Sequence, residues 1–179
     1  MNEGDIMKRT AMTAAALITA CALTFCSCSA DPADVIRQLI SSEENDMKAK
    51  EFDCITIDIT GTMASTREYE LLRTDNGARL SLYDGAWEFD DELTKEECLR
   101  KRIEGDSEFY AELLDLANEC GLKKWDGFSK SASGVLDGES FTLRGTVDGK
   151  AMSARGSNAY PSGFHDLTRA LWDMLSEKE

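Results

Sequence analysis

Hydrophobic and polar residues alternate with a period of two in the middle of the chain. Ile55, Ile57 and Ile59 share one side of an extended segment, and the residues between them are polar. This alternation is typical of a strand with one buried face. Asn76 and Gly77 then favour a tight hairpin, because such turns need positive φ. The pattern predicts a three-stranded antiparallel meander, whose second and third strands carry Tyr69, Leu71, Leu80 and Leu82.

The period changes to that of a helix between Leu93 and Gly121. Thr94 and Glu97 have the spacing of a capping box, so we expect a first helix to begin there and Gly105 to interrupt it. A second helix is predicted from about Ser107, ended by Gly121. The residues expected to face the core are Leu99, Ile103, Tyr110, Leu113, Leu114 and Ala117.

Alternation returns in the last third of the chain. Two strands are predicted on either side of an Asp148-Gly149 turn, followed by a helix with an apolar stripe from Phe164 to Leu175. The pattern thus predicts a hairpin followed by a helix twice over, which indicates a structural pseudo-repeat. Strands grouped with helices predict an α+β fold of antiparallel meanders and hairpins with packed helices. The apolar positions are Phe141, Leu143, Val147, Met152, Ala154, Phe164, Leu167, Leu171, Met174 and Leu175.

The amino-terminal segment has the three parts of an export signal. Lys8 and Arg9 precede an uncharged stretch that ends in small residues and cysteines. That stretch is shorter than the roughly 20 apolar residues of a transmembrane helix. We therefore predict a signal peptide over residues 1–27, a tether or short leading helix over 28–50, and a single α+β domain over 51–179.

The cysteines at the end of this segment resemble the lipidation site of bacterial lipoprotein signals. Cys28 follows a small residue and precedes a polar tether, although Phe25 stands where Leu or Val is usual. Cys21 has the better preceding residues, but cleavage there would leave an apolar stretch on the mature protein. Ordinary cleavage after Ala30 is the third alternative. Each predicts an extracytoplasmic protein, and lipidation would anchor it to the cell membrane without a transmembrane helix.

The charge balance excludes some partners. With 34 acidic and 20 basic side chains the chain carries a formal charge of -14. Nucleic acid is not expected as a partner, because its phosphates are bound by clustered Lys and Arg. Residues 1–27 hold two acids, Glu3 and Asp5, and two bases, Lys8 and Arg9, so the acidity belongs to the exported part.

The sequence predicts no catalytic residue, no metal and no cofactor. Cys54, Cys98 and Cys120 follow the signal without zinc-ligand spacing, and the interpretations left open are free thiols or a Cys98–Cys120 disulfide. His165 is the single histidine, and its neighbour Asp166 is badly placed to orient it for a nucleophile. The acidic run from Glu88 to Glu92 lacks the EF-hand order of calcium ligands.

Aromatic residues supply the candidate binding surface. An aromatic patch for sugars or peptides could be formed by Trp87, Trp125, Trp172, Tyr83, Tyr110 and Tyr160, and Asn158 in the stretch Gly156–Pro161 adds a polar side chain. The alternative is that the aromatic residues belong to the core and that the stretch only joins a strand to a helix.

Three short motifs resemble the carboxy-terminal signature of small uncharacterised bacterial lipoproteins. They are Trp125–Phe128, Val135–Gly138 and Gly156–Pro161. The resemblance implies an extracytoplasmic lipoprotein and no assigned activity.

These observations favour a non-catalytic, lipid-anchored envelope protein that binds a protein, peptide or glycan. Two alternatives stay open at this point. One is an envelope-acting hydrolase that uses carboxylates such as Asp58, Glu88 or Asp137, which would face each other at about 5 to 9.5 Å. The other is a proteinaceous inhibitor that presents a concave sheet.

Overall fold

A computed structural model gives the fold. It describes residues 33, 36, 47–61, 66–84, 93–134 and 138–177. The chain divides into two units, Met1–Ser42 and Glu43–Glu179. In the first unit, only Ala33 and Ile36 are described, and both have helical backbone. Among the described residues, no helix is long and apolar enough to cross a membrane.

The second unit is built on a seven-stranded sheet with the order β4-β3-β2-β1-β6-β7-β5. Neighbouring strands are antiparallel except β5, which runs parallel to β7 at one edge. The strands are β1 (Phe52–Thr60), β2 (Thr66–Thr74), β3 (Gly77–Asp84), β4 (Leu99–Gly105), β5 (Ser129–Ser131), β6 (Ser140–Val147) and β7 (Lys150–Ser157). The helices are α1 (Ser107–Glu119) and α2 (Phe164–Glu177).

Strand β1 lies at the centre of the sheet and supplies the middle of the core. Ile57 pairs with Tyr69 of β2 and Leu143 of β6, so the predicted apolar faces of three strands meet in register. Ile55 and Ile57 are fully buried. The predicted meander of β1, β2 and β3 is confirmed, and so is the β6–β7 hairpin.

The two helices cover this apolar face of the sheet. Asp106 caps α1 by accepting hydrogen bonds from the backbone N–H groups of Glu108 and Phe109, and Gly121 follows its end with a φ of 73°. Strand and helix side chains form one core, which confirms the α+β class. The helix residues buried in it are Phe109, Leu113, Ala117, Phe164, Leu167, Leu171 and Leu175.

The helix predicted from Thr94 to Gly105 is wrong. Thr94 and Glu97 do form the reciprocal hydrogen bonds of a capping box, but only a single 3-10 turn follows, at Glu96–Cys98. The chain then extends as β4 along β3, with Ile103 opposite Leu80. In a regular strand, residues four apart share a face as they do in a helix, so the apolar spacing fits both, and pairing with the edge of β3 decides. An irregularity between Leu82 and Tyr83 then pairs Leu99 with Tyr83, so Ile103 packs against the core and the predicted core position of Leu99 is wrong. Among the described residues, β4 comes between the β2–β3 hairpin and α1, whereas α2 is the next element after the β6–β7 hairpin.

Two further expectations concern turns and cysteines. The β2–β3 turn consists of Asp75 and Asn76, and neither these residues nor Gly77 has positive φ. The β6–β7 turn does use positive φ, at Asp148 and Gly149.

The alternative of a Cys98–Cys120 disulfide is wrong, because all three described cysteines, including Cys54, are free.

Gly77 is needed for close backbone packing. A Cβ at this position would overlap the backbone of Gly105 and Asp106, where β4 ends and α1 begins. We expect Gly77→Ala to lower the free energy of unfolding by about 1–3 kcal/mol, the usual cost of overpacking. Urea denaturation measures this. The control Gly149→Asn has open space and a φ that Asn tolerates, so a change within about 0.5 kcal/mol is expected. Equal losses in both variants would contradict this account of Gly77.

Candidate functional site

A surface groove of about 330 Å³ runs between helix α2 and strand β2. We call it the α2–β2 groove. The apolar stripe of α2 faces the sheet. The stripe of α2 residues next to it, His165, Thr168 and Trp172, has the spacing i, i+3 and i+7 and lies along the groove. Arg67 and Tyr69 of β2 form the other wall, and Tyr69 is buried on the helix side of the sheet. The residues from α2 are His165, Thr168, Arg169 and Trp172.

The groove gathers cationic side chains in an acidic protein. The Arg67 guanidinium lies 3.6 Å from the Glu139 carboxylate, and that of Arg169 lies 3.8 Å from Asp166. Both separations exceed hydrogen-bonding distance, and both arginines are at least half exposed. Their planar N–H donors are therefore accessible to a bound anion.

Trp172 presents an apolar surface beside these arginines. Its exposed fraction is 44%, although large aromatic side chains are usually well buried. It lies outside the buried stripe of α2, which contains Phe164, Leu167 and Leu171. The sequence carries this signal, because Trp172 falls on the side of the helix that the apolar spacing leaves to solvent. An exposed indole on a packed helix is a fixed contact surface that needs little ordering on binding.

Tyr160 and Asn158 hold Glu139, whose carboxylate is paired with Arg67 of the groove. The Tyr160 hydroxyl donates to the Glu139 backbone carbonyl and lies 3.1 Å from its carboxylate. Asn158 has a φ of 51° and accepts a hydrogen bond from the Glu139 backbone N–H through its side-chain oxygen. The Tyr160 ring packs against His165, with centroids 4.5 Å apart. Burial and the neighbouring Glu139 raise the pKa of Tyr160 to about 12, so its hydroxyl stays protonated as a donor.

Trp125 is not a surface residue. Its exposed fraction is 2%, its indole N–H donates to the Ser162 carbonyl, and its ring packs against Phe164. Trp125 therefore supports the start of α2 from the core, which corrects the sequence interpretation. The other predicted positions lie outside the described residues: Cys21, Cys28, Trp87, Glu88 and Asp137.

A second set of charged residues lies on the sheet face opposite the helices. Asp58 and Glu68 are direct cross-strand neighbours there, and only 3% of Glu68 is exposed. Lys95, from the segment before β4, places its ammonium 2.5 Å from the Glu68 carboxylate and 2.9 Å from that of Glu70. The same ammonium lies over the Tyr83 ring. These contacts hold the segment around Lys95 against β2 and β3.

Burial dominates the protonation of this carboxylate pair. It raises the pKa of Asp58, although Arg144 and Lys95 oppose the shift. It also raises the pKa of Glu68, although that carboxylate contacts Lys95 directly. The Lys95 pKa rises in spite of burial, because its hydrogen bonds to Glu68 and Glu70 favour the charged form. Glu68 is thus engaged inside the fold. The other carboxylates of the hydrolase hypothesis, Glu88 and Asp137, lie outside the described residues, so their distance from Asp58 stays a prediction.

Neither region resembles a metal centre. Among the described residues, no three His, Cys, Asp or Glu side chains are grouped so that they could hold a metal ion.

Comparison with known proteins gives no relative: no family model, curated protein or solved structure matches the chain.

The raised carboxyl pKa values predict how stability depends on pH. Between the ordinary pKa of Glu68, 4.5, and its higher folded value, the folded state keeps a proton that the unfolded state has lost. The contribution of Glu68 to the free energy of unfolding is therefore at its maximum below pH 4.5, and it falls as pH rises through the pKa of Glu68 in the folded state. Glu68→Gln cannot ionise at this position. The free energy of unfolding of the variant minus that of the wild type should therefore increase as pH rises.

Urea denaturation at several pH values from 4 to about 7 tests this, since that range spans the ordinary carboxyl pKa values. The control Glu112→Gln removes an exposed carboxylate from α1, and we expect no such gain there. A difference between Glu68→Gln and wild type that stays constant or shrinks with rising pH would contradict the assignment.

Proposed function

We propose that this chain is an exported, lipid-anchored envelope protein whose domain binds another envelope component in the α2–β2 groove, without catalysis. The observation that carries the proposal is the exposed Trp172, which shares the groove with two arginines whose donors are accessible. Tryptophan and arginine are the residue types that most often dominate binding energy at protein surfaces.

The position of these residues on a packed helix supports a role in ligand binding. His165, Arg169 and Trp172 belong to a helix whose opposite side is buried in the core, so their backbone is fixed before a ligand arrives. A preorganised surface binds more tightly than a mobile one, because less conformational freedom is lost. Tyr160 contacts His165 and Glu139 contacts Arg67, and a hydrogen bond joins Tyr160 to Glu139, so two residues of the groove have supported neighbours.

The proposed location rests on the amino-terminal sequence. The basic residues, the uncharged stretch and the terminal cysteines support export, with Cys28 as the lipidated residue and Cys21 as the alternative. A lipid anchor would hold the acidic domain at the membrane. The short reach of such a tether raises the effective concentration of the groove toward other envelope components.

Site-specific photo-crosslinking in living cells tests the binding site. A photo-crosslinking amino acid in place of Trp172 is expected to form a covalent adduct with an envelope component, because this side chain lies at the contact. The same amino acid in place of Ala151, which is exposed on β7, is the matched control and should give none. Absence of an adduct at position 172, or equal adducts at both positions, would refute binding in the groove.

Metabolic labelling with a fatty-acid probe tests the anchor. We expect the label to disappear in Cys28→Ala, because the acylated thiol is removed, and to persist in Cys54→Ala. Label that persists in Cys28→Ala but disappears in Cys21→Ala would move the anchor to Cys21. Label in none of the proteins would exclude lipidation.

A further inference from the structure

We infer that the ligand of the α2–β2 groove is a short acidic peptide segment of a partner protein, with one or two carboxylates beside an apolar side chain. This inference rests on the proposed function and specifies the chemistry of its ligand. It follows from the charges, the length and the apolar surface of the groove.

The charge of the groove favours a carboxylate. A guanidinium presents parallel N–H donors that match the two oxygens of a carboxylate. Within the described part of the chain, the carboxylates paired with Arg67 and Arg169 lie 3.6 Å and 3.8 Å away. Neither internal pair has hydrogen-bond geometry, so an incoming carboxylate can form shorter contacts than the existing ones.

The length of the groove favours a peptide. His165 and Trp172 are seven residues apart on α2, which corresponds to about 10 Å along the helix axis. An extended peptide covers about 3.3 Å per residue, so about three residues fill the groove. Two carboxylates on alternate residues of such a segment would point to one side of the peptide, and the apolar residue between them would point to the other side, toward the wall of the groove that carries Trp172.

The charge of the whole chain limits the size of the acidic segment. At -14, the chain repels extended anionic surfaces such as acidic membranes or polyanions. This repulsion falls off over about 8 Å at physiological ionic strength, whereas contacts with Arg67 and Arg169 act at closer range. A short segment with few carboxylates therefore gains the local contacts with little of the long-range repulsion.

Fluorescence anisotropy with labelled peptides tests this chemistry on the full chain in detergent. The probe is Gly-Ser-Glu-Leu-Glu-Ser-Gly, and the matched peptides replace both glutamates by glutamine or the leucine by serine. We expect the glutamate-leucine peptide to bind at least about tenfold more tightly than the glutamine peptide, a difference of about 1.4 kcal/mol. The serine peptide should bind more weakly than the probe, and Trp172→Ala should remove that difference.

Protein variants locate the carboxylate contacts. Arg67→Gln and Arg169→Gln are each expected to weaken binding of the probe by about threefold to tenfold. Arg144→Gln is the matched control: it makes the same charge change at an exposed arginine on the opposite face of the sheet, and it should leave binding unchanged.

Two results would overturn the inference. One is equal affinity for the glutamate and glutamine peptides, and the other is displacement of the probe by inorganic phosphate at concentrations where acetate has no effect. If either occurs while position 172 still crosslinks to an envelope component, the proposed binding site stands and only the acidic-peptide assignment fails. If no crosslink forms at position 172, the proposed function itself fails.

Discussion

The pairing of β1 with strands on both sides is the constraint on which the rest of the fold depends. Its backbone is hydrogen-bonded to β2 and β6, and Ile55, Ile57 and Ile59 lie on one face only. A register shift by one residue would turn these apolar side chains to the polar side of the sheet. Burial of the isoleucines therefore specifies the register in which β1 pairs with β2 and β6. The two helices must then pack on the same face, and the groove arises where α2 passes over β2.

The two faces of the sheet therefore differ in the kind of side chain that they bury. The helix-covered face buries apolar side chains, whereas the other face carries charged residues close together on adjacent strands. Burial on this face raises the pKa of Glu68, and the Lys95 ammonium contacts the Glu68 carboxylate and balances its negative charge. This network ties the segment before β4 to the sheet. The groove lies on the helix side, where the arginine donors are not used in comparable internal contacts.

Local patterns in the sequence predicted most of the elements but few of the contacts between them. Period-two alternation identified β1, and the helical stripe of α2 was confirmed. The spacing of Leu99 and Ile103 fits a strand as well as a helix, and only pairing with β3 decides between them. Trp125 and Trp172 look alike as aromatic residues, yet their exposed fractions are 2% and 44%. Arg67 joins the groove through tertiary packing, which no local pattern encodes.

Amide hydrogen exchange of the full chain, resolved by residue, tests the central role of β1 most directly. If β1 organises the sheet, the amides of Ile55–Ile59 are among the slowest to exchange and open only with global unfolding. The amides of the short, exposed edge strand β5 should exchange much faster. Exchange in β1 at the rate of β5 would contradict this account, because the apolar face and the groove above it would then lack a stable base.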